Sequence, residues 1–382
     1  MINSTDNIYS LALSIASSPK VNHIMDYIST YSPHEIYNKI SKKIKLKTQA
    51  FISTKYPGTP IESAKLIYET CNSKSIKIID FWDNNYPHLL KEINTPPLVL
   101  YCKGNLESKK VIAIVGTRKT DKKSSQIARR LSFELSHAGF TIVSGMAMGI
   151  DREAHIGALQ GSNPTIGVLA NGIDIIYPRY NKDIYNAIIS SQNSSLISEY
   201  PPEIYSGRWT FVRRNRLISG ISIGTVIIKA GEKSGALITG RYALEQNREV
   251  FVCPGNTFDK EFTGCHKLIK DGAVLVADTD DILRELCIYN KTTNFNKNIL
   301  LNNNTNKFDN QNLISPENNK LETKFKNNSI ELKIIEILTN GDKDIDNLLG
   351  LLNCTASQIN ESIILLELSG IISKNGNIIS RL

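Results

Sequence analysis

The chain has 382 residues, of which 21% are charged and 41% apolar; this composition excludes global disorder and collagen-like structure, and the length suggests two or three domains. Lys and Arg total 45 against 37 Asp and Glu, a net charge of +8, which suits a polyanionic partner without naming one. No run approaches the roughly 20 apolar residues of a membrane span, and an N-terminus with Asp6 and serine-broken apolar residues does not read as a signal peptide.

Residues 1–75 read as a helical N-terminal domain, with apolar positions at Leu11, Leu13, Ile15, Ile24, Tyr27 and Ile28 and breaks at Pro33, Pro57 and Pro60. Residues 76–110 read as an extended connector into the next domain. The six cysteines include no C-x-x-C pair and are widely spread. They read as reduced, mostly buried thiols of a cytosolic protein, not as a disulfide framework or a zinc site.

From Val111 onward two periods alternate. Strands are predicted at Val111–Val115, Phe140–Val143, Thr165–Leu169, Ser195–Ile197, Gly224–Ile228, Glu249–Val252 and Ala273–Val276. Helices are predicted between them at Ser124–His137, Asp151–Leu159, Lys182–Ile189 and Ala236–Gln246. The strands are continuous apolar runs, as expected when both faces are covered. The alternation predicts an α/β fold, a Rossmann-like doubly wound parallel sheet over residues 76–289, whose ligands bind beyond the carboxyl ends of the strands.

Four segments there carry candidate chemistry. The first strand runs into GTRKTDKKSS, which is not G-x-G-x-x-G. Gly116, Thr117 and Arg118 at a helix N-terminus suit a phosphate, although a plain turn with a solvated arginine has the same sequence. The second, VSGMAMGIDREAH, is a tight loop around Ser144, Gly145 and Gly149. Asp151 and His155 are spaced i, i+4, either as an acid–base pair or, the blander option, as a helix cap and a packed histidine.

The third, SGRWTFVRRNRLISG, places Arg208, Arg213, Arg214 and Arg216 beside Trp209 and Phe211, with no acid from Ile204 to Gly231. Guanidinium groups with flat side chains suit single-stranded nucleic acid; a solvated basic loop with a buried Trp is the alternative. The fourth, IIKAGEKSGALITGRYALEQ, offers Lys229 at a strand end, then Lys233, Ser234 and Gly235 at a helix start, with Thr239 and Arg241 following. It lacks the P-loop spacing, so an ATPase is disfavoured.

Residues 290–330 read as an Asn-rich linker, with 14 Asn in positions 290–328. Residues 331–382, net charge −3, read as helices Glu331–Leu338, Ile345–Leu352 and Ala356–Leu368, the last capped by Thr355, then a hairpin at Asn375-Gly376.

Taken in order, VGTRKT, VSGMAMGIDREAH, TIGVLANGIDIIYPRYN, LISEYPP, RRNRLISG, KSGALIT, VFVCPGN and TGCHKLIKDGA resemble the DNA-processing protein A family (DprA, also called Smf) from about Tyr86 to Leu283. The resemblance implies a Rossmann-like core that binds single-stranded DNA, protects it, and loads RecA recombinase during natural transformation. It implies no cofactor, no catalysis, a homodimer and a cytoplasmic location. Residues matching the family motifs are then expected at the DNA: the loops at Gly116, Thr117, Ser144, Gly145, Ser234 and Gly235, the cations Arg118, Arg213, Arg214, Arg216, Lys229 and Lys233, and Asn215 and Thr239. Trp209 or Phe211 would stack on bases.

Thr117, Met146 and Val212 are mild departures from the family pattern. The stretch SSPKVNHIM lacks the glycine of the helix–hairpin–helix turn common in N-terminal domains of the family, so DNA binding is not assigned to residues 1–70. The tail resembles the family's C-terminal winged-helix domain, but its third helix carries Glu361 and Glu367 and no cation. A protein contact or a dispensable fold suits it better than DNA readout. A rival with a similar core is a nucleotide-handling hydrolase such as the cytokinin-activating phosphoribohydrolases. Their P-G-G-x-G-T-x-x-E string has no counterpart in GEKSGALITGRYALEQ, which lacks both the double glycine and the offset Glu.

Overall fold

The computed structural model describes residues 4–17, 24–106 and 109–286 and, in the C-terminal region, 334, 337–338, 343–352, 359, 362–363, 366, 372–375 and 378–381. The predicted linker 290–330 and most of the predicted helices Glu331–Leu338 and Ala356–Leu368 lie outside them. The chain divides into two compact units, Met1–Phe295 and Asn296–Leu382.

The first unit begins with α1 (Ser4–Ile15), β1 (Ala16–Ser17), α2 (Pro33–Ser41), β2 (Lys47–Thr48), α3 (Ala50–Ser53) and α4 (Pro60–Ser73). Two of these helices start from the same device. Ser32 and Thr59 cap N–H groups that their third residues, Glu35 and Glu62, answer by binding the cap N–H, and a proline occupies the first turn.

The next elements are β3 (Lys77–Asp80), α5 (His88–Lys91) and β4 (Val99–Gly104). Then strand and helix alternate: β5 (Val111–Val115), α6 (Lys122–His137), β6 (Thr141–Ser144), α7 (Ile150–Leu159), β7 (Thr165–Leu169), α8 (Lys182–Ser190), β8 (Ser195–Ser198), α9 (Arg208–Gly220), β9 (Gly224–Ile227), α10 (Gly235–Glu245), β10 (Glu249–Val252), α11 (Thr263–Lys270), β11 (Val274–Leu275) and α12 (Thr279–Glu285).

Among the described residues these strands form one nine-stranded sheet in the order β11-β10-β9-β5-β6-β7-β8-β4-β3. The seven strands from β11 to β8 are parallel. Strand β5 is central: the chain winds outward from it through β6, β7 and β8, then returns to its other side as β9. The sheet therefore reverses its winding between β5 and β9 and opens a crevice there. The doubly wound Rossmann-like fold read from the sequence is the observed one.

Alternation along β5 divides the core. Val111, Ala113 and Val115 pack with Leu217 and Ile218 of α9 and Ala236 and Ala243 of α10. Ile112 and Ile114 pack with Leu131 and Leu135 of α6, Ile150 and Ala154 of α7 and Ile282 of α12. Both faces are covered, which is why these strands carry no polar alternation.

Two expectations change at the other edge. The connector 76–110 supplies two strands, with β4 antiparallel to β8 (Tyr101↔Ser198) and β3 antiparallel to β4. The N-terminal helices share a core with the sheet: Leu11, Ile15, Ala64 and Ile67 pack with Val99, Tyr101, Leu169, Ile184 and Leu196.

Cys71, Cys102, Cys253 and Cys265 are free and buried, and burial pushes the Cys71, Cys102 and Cys253 thiols up to about 12. Cys287 and Cys354 lie outside the described residues. Among the described residues no helix is long and apolar enough to cross a membrane, and no group of three or more His, Cys, Asp or Glu is arranged to hold a metal ion.

The second unit contains β12 (Lys343–Asp344), α13 (Ile345–Leu352), β13 (Ile372–Asn375) and β14 (Ile378–Arg381). The hairpin signalled by Asn375-Gly376 is the antiparallel pair β13–β14, with Asn375 opposite Ile378. Ile334, Leu338, Leu348, Ile359, Ile363, Leu366 and Ile379 form the core of this unit.

Candidate nucleic-acid interface

The crevice at the carboxyl ends of β5 and β9 is a cleft of about 740 Å³. Three segments wall it: Gly116, Thr117 and Arg118 after β5, one face of α9, and Lys233, Ser234, Gly235 and Thr239 around the start of α10. The α9 face is Arg208, Phe211, Val212, Asn215 and Ile218, whose spacing of three and four residues is one side of a helix. Thus the basic stretch read as a loop is a helix, and helical rotation sends its arginines to different tasks.

Arg208 is exposed and lines the cleft. Arg213 is half-exposed, with Nε 3.3 Å from Glu199 Oε1. Arg216 is buried, donates from Nη1 to Thr95 O at 2.6 Å, and pairs through Nη2 with Glu199. Arg214 points inward, where Nη1 donates to the carbonyls of Gly145 and Val168 (the latter at 2.7 Å). Burial brings its pKa down to about 10, against the pull of Asp151.

Trp209 lies outside the cleft. Its ring packs edge-on against Phe51 of α3 at 5.1 Å and Tyr200 at 5.8 Å. Phe211 is the aromatic inside, with the Arg118 guanidinium carbon 5.1 Å from its centroid and the Tyr177 ring at 5.6 Å. Arg118, Phe211 and Tyr177 also border a smaller adjoining cavity of about 70 Å³ that reaches Gly145, Asn171 and Pro178.

The loop after β6 holds the floor. Ser144 Oγ donates to Ile114 O at 2.6 Å and is fully buried. Asp151 accepts from Gly145 N–H at 3.2 Å and Ala147 N–H at 3.4 Å. It therefore ties down the preceding loop, while Gly149 is the N-cap residue of α7. Burial pushes the Asp151 carboxyl up, and Arg214 opposes that shift. His155 does not partner Asp151. Its Nδ1 lies 2.8 Å from Thr165 Oγ1, and burial drives its pKa down to about 3, so the packed-histidine reading holds. Gly149 has φ +78°, and a Cβ there would stand 2.4 Å from Thr117 O and 2.7 Å from Arg118 O. Only glycine lets this loop press against the Arg118 turn.

Lys229 is withdrawn from the open cleft. Its Nζ sits 2.7 Å from Asp121, 2.6 Å from Glu261 and 3.7 Å from Asp259, with its side chain 4% exposed. Burial works against its charge, but hydrogen bonds to Asp121 and Glu261 raise its pKa above the ordinary lysine value. The Lys229 hydrogen bond in turn holds Asp121 well below the usual carboxylate range. Asp121 also caps α6 by accepting from Ser124 N–H at 2.9 Å.

Gly116, Thr117, Arg118, Phe211, Arg214, Asn215, Lys233, Ser234, Gly235 and Thr239 therefore meet at one cleft, whereas Ser144, Trp209, Arg213, Arg216 and Lys229 do not line it. Gly145 lies in the smaller cavity. Lys260 and Tyr177 were missed; both follow carboxyl ends of strands, the rule that could have found them. Among the described residues no carboxylate lies within ion-pair distance of Arg118, Arg208, Lys233 or Lys260. Four unpaired cations around one accessible aromatic ring, beside the N-terminus of an 11-residue helix, can hold an anion carrying a flat ring system.

Fold and cleft together define a Rossmann-like α/β protein with a basic, aromatic-lined site at the switch point of its sheet. Residues 77–287 match the family model for DNA recombination-mediator protein A, and the chain belongs to this family. It is 41% identical over 216 residues to DNA processing protein DprA of Bacillus subtilis, a match covering 56% of this chain and 72% of that one. The X-ray structure of DNA processing protein A from Streptococcus pneumoniae superposes with a TM-score of 0.60 at 30% identity, covering 75% of this chain and 99% of that one. The Helicobacter pylori protein, whose structure is described as giving insight into its unique single-stranded DNA binding mode, superposes with a TM-score of 0.50 at 29% identity over 56% of this chain and 96% of its own.

Proposed function

We propose that the cleft binds single-stranded DNA and that the protein is a cytosolic recombination mediator, a homodimer that shields incoming strands and passes them to RecA in natural transformation. The observation that carries this reading is the group of unpaired cations around Phe211 at the β5/β9 crevice. The single-strand binding described for the Helicobacter pylori relative supports it. Arg118, Arg208 and Lys233 take phosphates, with the backbone N–H groups at the start of α10, while Phe211 stacks on a base. Arg214, Arg216 and Lys229 hold the walls in place, since Arg214 Nη1, the two terminal nitrogens of Arg216 and Lys229 Nζ are engaged by carbonyls and carboxylates of the protein. Residues 331–382 are read from the sequence as a winged-helix-like domain whose acidic segment Ala356–Leu368 serves a protein contact. Of the three acids lining the cleft, Asp151 is committed to loop amides and Glu261 to Lys229, which leaves a nucleotide-hydrolase reading only the exposed Glu232 beside Lys233.

Fluorescence anisotropy with labelled oligo-dT and a matched duplex tests the reading. Single strand should bind more tightly, with log K falling by roughly 0.7 per phosphate for each unit of log salt. Arg118→Ala should lose tenfold or more in affinity at unchanged melting temperature, because a charged hydrogen bond contributes about 1.5–3 kcal/mol. Equal affinity for duplex, or an Arg118→Ala variant that binds as the parent does, overturns it.

A further inference from the structure

We propose that Lys39, Lys42, Lys43, Lys45 and Lys47 form a second nucleic-acid-binding surface, on the N-terminal helical layer, that takes the single strand as it leaves the cleft. The direction of the strand rests on the reading of the cleft above; the charge of the surface does not. From Ile36 to Ile61 the chain carries six lysines and no acid. The five from Lys39 to Lys47 are exposed, at the end of α2, in the following turn and in β2. Some surface cations of this unit are answered by carboxylates, as in Arg129–Glu153, Arg152–Asp183, Arg248–Glu92 and Lys55–Glu203. Among the described residues none of the five lysines has such a partner, and so much like charge is left for an external anion to neutralise.

Two observations choose the anion. The apolar residues between the lysines pack toward the core, Ile40 and Leu46 buried and Ile44 half-buried against them. Nothing there could insert into a bilayer, whereas a membrane-surface helix presents an apolar face. Aromatic rings accompany the lysines instead: Lys39 Nζ lies 4.1 Å over the Tyr31 ring, and Tyr27 and Tyr31 stand 6.1 Å apart. Cations interleaved with rings are the chemistry of a single-strand track.

One ring contact ties the layer that carries the lysines to the helix that walls the cleft. Phe51 touches Trp209 at 5.1 Å, and Trp209 stands between Arg208 and Phe211 in sequence, both of which line the cleft. Lys47 is four residues before Phe51, so its backbone lies within about 14 Å of that contact even if fully extended. The half-exposed Trp209, which has no place inside the cleft, thus marks where the strand crosses to the lysines.

The test is Lys42→Gln/Lys43→Gln/Lys45→Gln in the full chain, with binding to oligo-dT of about 6 and about 30 nucleotides followed by anisotropy across salt. The short strand should bind as it does to the parent. The long one should bind at least tenfold more weakly at low salt, with a salt slope shallower by about 2 units for three lost phosphate contacts. Unchanged affinity and slope for the long strand overturn the proposal. So does binding of the parent, but not the variant, to phosphatidylserine vesicles with DNA binding intact. Should the cleft reading alone be wrong, Arg118→Ala would leave short-strand binding untouched while the lysine variant still weakened the long strand, and this surface would stand. Circular dichroism confirms folding, which exposed Lys→Gln changes leave intact.

Discussion

Arg214→Ala distinguishes an arginine that holds the site together from one that touches DNA. Its Nη1 donates to two carbonyls, Gly145 O at the end of β6 and Val168 O in β7, and its charge faces the buried Asp151. Two charge-assisted hydrogen bonds at about 1.5–3 kcal/mol each give about 3–6 kcal/mol. Leaving the Gly145 and Val168 carbonyls without their donor, and the buried Asp151 without the cation that faces it, keeps the cost at about 3–5 kcal/mol. Both routes exceed the usual effect of a point substitution. At roughly 2 °C per kcal/mol for a large unit, the melting temperature should fall by about 6–10 °C. Arg214→Lys should fall in between, since lysine keeps a charge but lacks the planar guanidinium whose Nη1 donates to both carbonyls. Scanning calorimetry and oligo-dT anisotropy on the same preparations decide the matter, with affinity measured well below the transition. Arg118→Ala is the comparison, expected to melt as the parent does while binding weakly. An Arg214→Ala protein with parental melting and tenfold weaker binding would refute the reasoning, because the guanidinium would then be facing DNA.

Other outcomes follow from the same geometry. Gly145→Ala would place a Cβ 2.1 Å from Arg214 Nη1, so it should also lower the melting temperature, and the double variant should lose much less than the two single losses combined; additive losses would argue against a shared cause. His155 is held neutral down to about pH 3 by burial, whereas in the unfolded chain it takes up a proton near pH 6.5. Between these values the unfolded state binds more protons, so stability falls on acidification by up to about 1.4 kcal/mol per pH unit. His155→Asn should flatten that part of the melting-temperature profile, and an unchanged profile would refute it. Deleting residues 331–382, net charge −3, should leave short-strand affinity nearly unaltered in anisotropy; loss of most of it would show that the tail contacts DNA.

The parallel strands were legible because burial on both faces imposes an uninterrupted apolar run. Val111–Val115, Thr165–Leu169 and Glu249–Val252 match residue for residue, and the other strands shift by one or two. Strands β3 and β4 were not legible: Lys77, Asp80 and the prolines at 96 and 97 blur the pattern, and the partner that makes β4 a strand lies almost a hundred residues away in β8. The cleft was found because glycine loops at strand ends identify themselves locally. The tasks of its cations were not, because they depend on rotation and on distant acids. Arg213, Arg214 and Arg216 look alike in sequence, yet Arg213 and Arg216, three positions apart, share Glu199 from a half-exposed and a buried side, while Arg214, turned by about 100° from Arg213, faces loop carbonyls. Lys229 read as a phosphate ligand because Asp121 and Glu261, which neutralise it, are 108 and 32 positions away.

The antiparallel pairing of β4 with β8 also sets an order on biosynthesis. The N-terminal helices and β3–β4 emerge first, but the apolar surface they cover is contributed by residues as late as Ile188, Leu196 and Ile204. Until about two hundred residues have left the ribosome, Leu11, Ile67, Val99 and Tyr101 have no complete core to join, and the edge of β4 has no partner. The N-terminal layer is therefore made first but cannot lock until β8 and the turn through Ile204 have followed it. A destabilised β8 should expose it to proteases and chaperones before the central strands around β5 loosen.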